Sequence, residues 1–360
     1  MALTQVNLGM VDTAAAGGLG MRNKIINGAM EIDQRNVGAS VSTGNSNTYI
    51  TDRFNIRTAT GSGSTGQQSS TAPAGYYKSL VTTIGTGASP SASALNWIYQ
   101  GIEGLNVADL NWGTSDAKAI TVSFWVRSSV TGTYAVSVAN SSLNRSYVAT
   151  YSVTSANTWE QKSVTIPGDT SGTWLTTNGL GIYLFFDLGC GSDRQGTADT
   201  WLGSWAIGTS SSVKLVQTSG ATLYITGVQL EVGSVATEFE RRQYGTELAL
   251  CQRYFEKSYT HETAVGSSSA MLYVPSVSDN SSNATYHWKF AVTKRATPTM
   301  TAYTQSGTAG SWGYNRSGSV TTGTVTFHQP LDSGANLYVG IGVTYAVCHL
   351  YGVLTASAEL

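Results

Sequence analysis

Between about residue 25 and residue 240, apolar side chains recur at every second position in run after run. In residues 120–127, Ile120, Val122, Phe124 and Val126 share one face, and Trp125 points to the other, toward a second layer or a partner subunit. Tyr134, Val136 and Val138 repeat the pattern, as do Ile182, Leu184, Phe186 and Leu188. A period of two marks strands with one face buried. In residues 223–232 the apolar phase moves from odd to even positions at Gly227, which predicts a β-bulge at the residue that best tolerates one. Gly, Thr, Ser and Asn turns separate these runs at about ten-residue intervals, the spacing of a sandwich or jelly roll. One helix is predicted over residues 246–257, capped by Thr246, with Leu248, Cys251 and Phe255 at helical spacing. Beyond it, Tyr286, Trp288, Phe290 and Val292, then Leu337, Val339, Ile341, Val343, Tyr345 and Val347, return to alternation. No fixed-period repeat appears, which argues against a β-helical shaft.

The expected architecture is all-β. An N-terminal arm (1–24) precedes a jelly-roll β-sandwich (25–240), a short linking helix (241–257) and a second, C-terminal β-sandwich (258–360). The arm is Ala/Gly-rich and short in apolar periodicity, so it is either a flexible tail or an arm that orders against a partner, with Leu3, Val6, Leu8 and Met10 as the expected docking residues.

Composition sharpens this picture. Of the 360 residues, 11% are charged, against roughly 25% in ordinary globular domains. With 41% hydrophobic and 10% aromatic residues, the chain can still fill a core. The net charge of −1 comes without a Lys/Arg cluster, which disfavours phosphate-dominated nucleic-acid binding. No stretch approaches the roughly 20 apolar residues of a membrane helix, and the N-terminus lacks a secretion signal, which predicts synthesis in a cytoplasm. Cys190, Cys251 and Cys348 are widely spaced and are expected to be buried free thiols, with no zinc motif among them.

Candidate chemistry is sparse. His261, His287, His328 and His349 lie on separate strands, and neither GxSxG nor HExxH occurs. Glu103, Asp109, Asp187, Asp193, Asp199 and Glu231 could supply the two carboxyl groups of a glycosidase, yet no spacing demands it. They read better as solvated turn residues, or as oxygen ligands to a structural calcium, the one cofactor the sequence leaves open. Residues 61–66 match GxGxxG, but in a polar loop without the flanking strand and helix that a phosphate cradle needs. The aromatic residues say more. Nine Trp and nineteen Tyr exceed the needs of a hydroxyl-rich sandwich, and flat rings with polar tips suit sugar stacking. Trp174, Trp201, Trp205, Trp312 and Tyr314, in Gly/Ser/Thr-rich surroundings, are the candidate ligand-binding residues, with packing in the core or at a subunit interface as the other and leading reading of each.

Several segments resemble a family. Asn23-Lys24-Ile25-Ile26-Asn27-Gly28-Ala29-Met30-Glu31-Ile32-Asp33-Gln34-Arg35 is similar to the opening of bacteriophage tail-fibre and other virion fibre-type proteins. Residues 99–104, 123–126 and 227–233 resemble later strands of the same module, residues 247–255 its following helix, and residues 1–6 and 356–360 its ends. The collar and shaft of such fibres have no counterpart here. The resemblance implies a jelly roll like that of carbohydrate-binding modules, assembly as a homotrimer, docking on other virion proteins through the arm, and attachment to a bacterial surface glycan. It implies no catalytic residue, and the chain is expected not to be an enzyme. Low charge suggests binding with little salt dependence. The alternatives are a capsid decoration or head fibre, a polysaccharide depolymerase, and a free cellular carbohydrate-binding protein.

Overall fold

The computed structural model describes residues 21–264, 272–304, 306–316 and 318–360, and it is nearly all β-structure. Leu3, Val6, Leu8 and Met10 lie outside the described residues. Two compact units emerge: of the described residues, 21–31, 40–48 and 54–242 form the first, and 32–39, 49–53 and those from 243 to 360 form the second.

The first unit is a sandwich of two antiparallel sheets. One runs, in spatial order, Val41–Ser42, Thr65–Ser69, Ser79–Thr83, Thr222–Val232, Ile120–Ser128, Glu160–Ile166. The facing sheet runs Trp201–Leu202, Ser146–Val153, Gly132–Asn140, Leu180–Asp187, Asn96–Glu103, Phe54–Thr58. The alternating apolar positions meet between them. Phe124 of the first sheet packs edge-on against Phe186 of the second at 5.0 Å, and Ile98, Val136, Val138, Ile182 and Leu184 are all buried. Each such side chain removed from water contributes about 1.5–3 kcal/mol. Trp125, on the opposite face from Phe124, is half-buried.

The bulge falls where the change of phase put it. The register between strands 222–232 and 120–128 shifts between Thr226 and Gln229, and Gly227 has φ +60°. A Cβ there would also lie within 2.9 Å of the Tyr76 ring, so both the backbone and the neighbouring side chain require glycine.

Arg22, Asn23 and Lys24, assigned to the arm, are instead stitched into this unit. The Asn23 side chain accepts from the N–H groups of Ile25 and Leu230 and donates to Val228 O, while Lys24 pairs with Asp109 at 2.9 Å. Gly28 lets the segment approach closely, because a Cβ there would lie 2.1 Å from Val228 O. Gln100 holds Ile26 by both its N–H and its C=O. Residues 23–28 thus fasten onto the strand at Val228 and Leu230.

In the second unit the long strand Val347–Ser357 pairs with Leu272–Val277 and Ser311–Arg316 along its first half, and with Phe255–Lys257 and Thr299–Tyr303 along its second. This shared strand closes the layers over a core of Trp288, Phe290, Trp312, Leu337, Leu350 and Leu354. The helix is Tyr244–Gln252, shorter than the predicted 246–257 and starting earlier, with Gln243 rather than Thr246 at its cap. It stops because the backbone of Phe255–Lys257 is taken up by the end of strand 347–357. Gln34 donates to both Asp52 carboxylate oxygens and to Phe255 O, while Arg35 and Arg53 pair with Glu359. Cys190, Cys251 and Cys348 are free and buried, as expected.

Candidate functional site

The outer face of the second sheet of the first unit carries an unusual layer. Alternation that sends Ile98 and Ile182 inward sends Trp97, Tyr99, Tyr183 and Phe185 outward. Tyr99 faces Phe185 across one strand pair and Asn55 across the next, and Trp97 faces Asp187 and Arg57. The rings form a continuous set: Trp97–Phe185 at 5.2 Å, Tyr99–Phe185 at 5.6 Å, Tyr99–Tyr183 at 5.7 Å. The loop after Asp187 folds back over this face, packs Ile207 and Cys190 on it, and places Trp205 5.8 Å from Trp97. Trp97, Tyr99 and Phe185 form a nearly buried floor, while Tyr183, Trp205, Arg57 and Arg194 remain half-exposed around it. The Arg57 guanidinium lies 5.4 Å from the Trp97 ring, and that of Arg194 lies 4.5 Å from Trp205.

Hydrogen bonding sets this face apart. Both amide atoms of Asn55, which is fully buried, have no partner. The same holds for Trp97 Nε1, Trp205 Nε1, Arg57 Nε, Arg194 Nε, Ser137 Oγ and Asp187 Oδ2. Asp187 and Ser137 sit opposite Trp97 and Phe185 and so belong to the same face. A buried polar group left unpaired costs about 1–3 kcal/mol, and eight such atoms lie on this one face. Burial raises the Asp187 carboxyl above its ordinary range, although its Oδ1 accepts from the N–H groups of Gly189 and Cys190. Burial, with the Asp187 charge beside it, also pushes the Cys190 thiol well up, which leaves it unreactive. Farther along the same sheet, Thr133, Thr150, Gln195, Thr197, Thr209 and Ser211 line an open pocket of about 560 Å³. Aromatic floor and hydroxyl-lined pocket are separated by Leu202 and Ala206, which pack on Ala135 and Val148.

The five aromatic residues singled out from sequence are dispersed. Trp205 belongs to the site. Trp174 and Trp201 join Trp112 and Tyr147 in a separate cluster, with Trp112–Trp174 at 4.6 Å and Trp112–Trp201 at 5.3 Å. Here every indole N–H has an acceptor: Trp112 donates to Lys118 O, Trp174 to Asp169 and Ser171 O, Trp201 to Pro167 O. Arg145 grips Asp169 through two nitrogens and lies over Trp201. This cluster is a rivet between loops. Trp312 is fully buried and donates to Val353 O, so it is a core residue that no ligand reaches. Tyr314 packs on that core and donates to Ile341 O at 3.3 Å. Sequence reasoning missed Trp97, Tyr99, Tyr183, Phe185, Asn55, Arg57 and Arg194. A signal existed: residues 182–186 are apolar or aromatic without a break, the mark of a strand whose two faces are both covered.

Of the acidic candidates, Glu231 pairs with Arg22 and Asp109 with Lys24, while Asp193 and Asp199 are exposed. Glu103 is buried, and Asp187 has just been placed. Among the described residues no group of three His, Cys, Asp or Glu is arranged to hold a metal ion, and no helix is long and apolar enough to cross a membrane.

No family model matches the chain, and no curated protein does. Solved structures similar to it include a putative sugar binding protein from Bacteroides thetaiotaomicron, 10% identical with a TM-score of 0.35, covering 59% of this chain and 100% of that one. The enzymatically active domain of tailspike protein 4 of bacteriophage CBA120 is 12% identical with a TM-score of 0.30, covering 59% of this chain and 22% of that one. TmCBM61, solved with β-1,4-galactotriose, is 11% identical with a TM-score of 0.29, covering 59% and 99%. The class that the strands and sheets themselves define is an all-β, double-sandwich protein with one aromatic face.

Proposed function

We propose that the first unit is a glycan-binding sandwich and that the chain is a virion fibre-type subunit attaching the particle to a bacterial surface. The observation that carries the glycan reading is the half-exposed set of Tyr183, Trp205, Arg57 and Arg194 around the Trp97–Phe185 floor. Aromatic faces provide stacking for a sugar ring, and the half-exposed guanidinium groups beside them provide the few directed hydrogen bonds that fix its orientation. Binding proceeds without turnover. The virion assignment is supported by the residues that resemble fibre proteins. Assembly of several copies, a homotrimer on that resemblance, is supported by Tyr273, Val277, Val320 and Val347, exposed on neighbouring strands of the second unit. Copies repeated on one particle raise the avidity of a weak sugar contact by about 10²–10⁴.

The test is binding of the purified chain to host envelope glycans and to host cells, with Tyr183→Ala and Trp205→Ala beside it. Both residues are half-exposed, so the variants should fold and lose binding. Folded variants that bind as well as the parent would refute this site. Release of reducing sugar ends from the bound glycan would convert the reading to a depolymerase. Labelling the chain on intact particles separates tail from head.

A further inference from the structure

We infer that the glycan taken by the outer face is acidic, a polysaccharide whose sugar rings carry carboxylates that are gripped by Arg57 and Arg194. The inference rests on the glycan-binding reading and names its ligand class.

The observation behind it is one of charge and geometry. Within the first unit, Arg22, Arg145 and Arg242 each meet a carboxylate of the chain within 3.4 Å. Arg57 and Arg194 do not; nor do Arg127 and Arg241, which lie over Tyr224 and Tyr76 and are not part of this face. Arg57 spends Nη2 on the neutral amide oxygen of Asn45 at 2.6 Å, and Arg194 spends Nη1 on the backbone oxygen of Asp193 at 3.0 Å. Each is half-buried over a tryptophan, and those two tryptophans touch, so the order along the face is Arg57, Trp97, Trp205, Arg194. Each guanidinium keeps one terminal nitrogen outside those two hydrogen bonds, and a planar fork matches a carboxylate in a way a hydroxyl does not. The one acid on this face, Asp187, is buried, and its burial favours the neutral form.

The consequence reverses the expectation from composition: binding should weaken as salt rises, because two unscreened charges contribute to it. The test titrates the full chain with oligomers of galacturonate, of the alginate uronates and of N-acetylneuraminate. Each is paired with its methyl-esterified form, which keeps the ring and removes the charge, and a set of neutral oligosaccharides is run in parallel. The expected result is at least one acidic oligomer bound about tenfold or more tightly than its ester, as loss of a charge-assisted pair implies. Arg57→Gln and Arg194→Gln should each lower affinity for the acid while leaving the ester unchanged, with melting temperature as the folding control. Arg57→Lys, which keeps charge and loses the fork, should fall between. Equal binding of acid and ester, or binding confined to neutral oligosaccharides, would overturn the acidic assignment and leave the glycan reading standing. No binding to any member of the panel would count against both.

Discussion

The first unit holds two clusters of tryptophan that composition cannot tell apart. Trp112, Trp174 and Trp201 pack edge to face, and each indole N–H ends on an oxygen of the chain. Trp97 and Trp205 pack as closely, but both indole N–H groups end on nothing, and so does the amide of Asn55 beside them. Arginine repeats the contrast: Arg145 over Trp201 is clamped to Asp169, whereas Arg57 over Trp97 has no carboxylate. The first cluster is closed and works for stability. The second leaves its buried polar ends unpaired, and it is the one on which the proposed binding falls. Counting the partners of each ring separates the two roles where counting rings does not.

This contrast can be broken by substitution. The largest effect is expected for Trp112→Ala, since removing a buried Trp costs about 3–5 kcal/mol. Urea unfolding should register that loss, with ligand affinity of the folded fraction unchanged. A smaller loss is expected for Asp169→Ala, about 2–3 kcal/mol, because it strands Arg145 and frees the Trp174 N–H together. Again binding should hold. Trp205→Ala should show the inverse: stability lower by about 1 kcal/mol or less, because the ring is already half-exposed, and affinity lower by tenfold or more. A Trp205 variant as destabilised as the Trp112 variant, with binding intact, would merge the two clusters into one structural class.

The smallest effect concerns pH. The folded pKa of Asp187 lies above its unfolded value because of burial, so between the two the native state holds more protons. Its contribution to stability is fully present below the unfolded value of about 3.8 and is lost as pH rises through the folded one. Asp187→Asn keeps an acceptor for the N–H groups of Gly189 and Cys190. It should flatten that part of the curve of unfolding free energy against pH. A curve that keeps its slope in the variant would assign the dependence elsewhere.

What the chain announces about itself follows the range of the forces involved. Period-two alternation is local, so the inward set around Phe124, Ile182 and Phe186 was legible, and so was the bulge at Gly227, where the alternation changes phase. The helix was legible in kind and misplaced at its ends, because a strand pairing with residues 355–357 decides where it stops. The site was hardly legible. Loop composition drew attention to Trp174 and Trp201, which are bolted down, and to Trp312, which is core. Trp97 and Tyr99 stand in mid-strand, where aromatic residues ordinarily mean packing. That their face is floored with rings depends on the loop after Asp187 folding over it, and that Arg57 lacks an acid depends on where distant acids land. Both are facts of tertiary structure.

The most direct test reads the indole N–H resonances of all nine tryptophans during titration with the tightest-binding acidic oligomer. Trp97 and Trp205 should shift together along one binding curve, while Trp112, Trp174, Trp201 and Trp312 stay in place. Movement of Trp174 and Trp201 with Trp97 and Trp205 fixed would contradict the account and move the binding face to the other cluster.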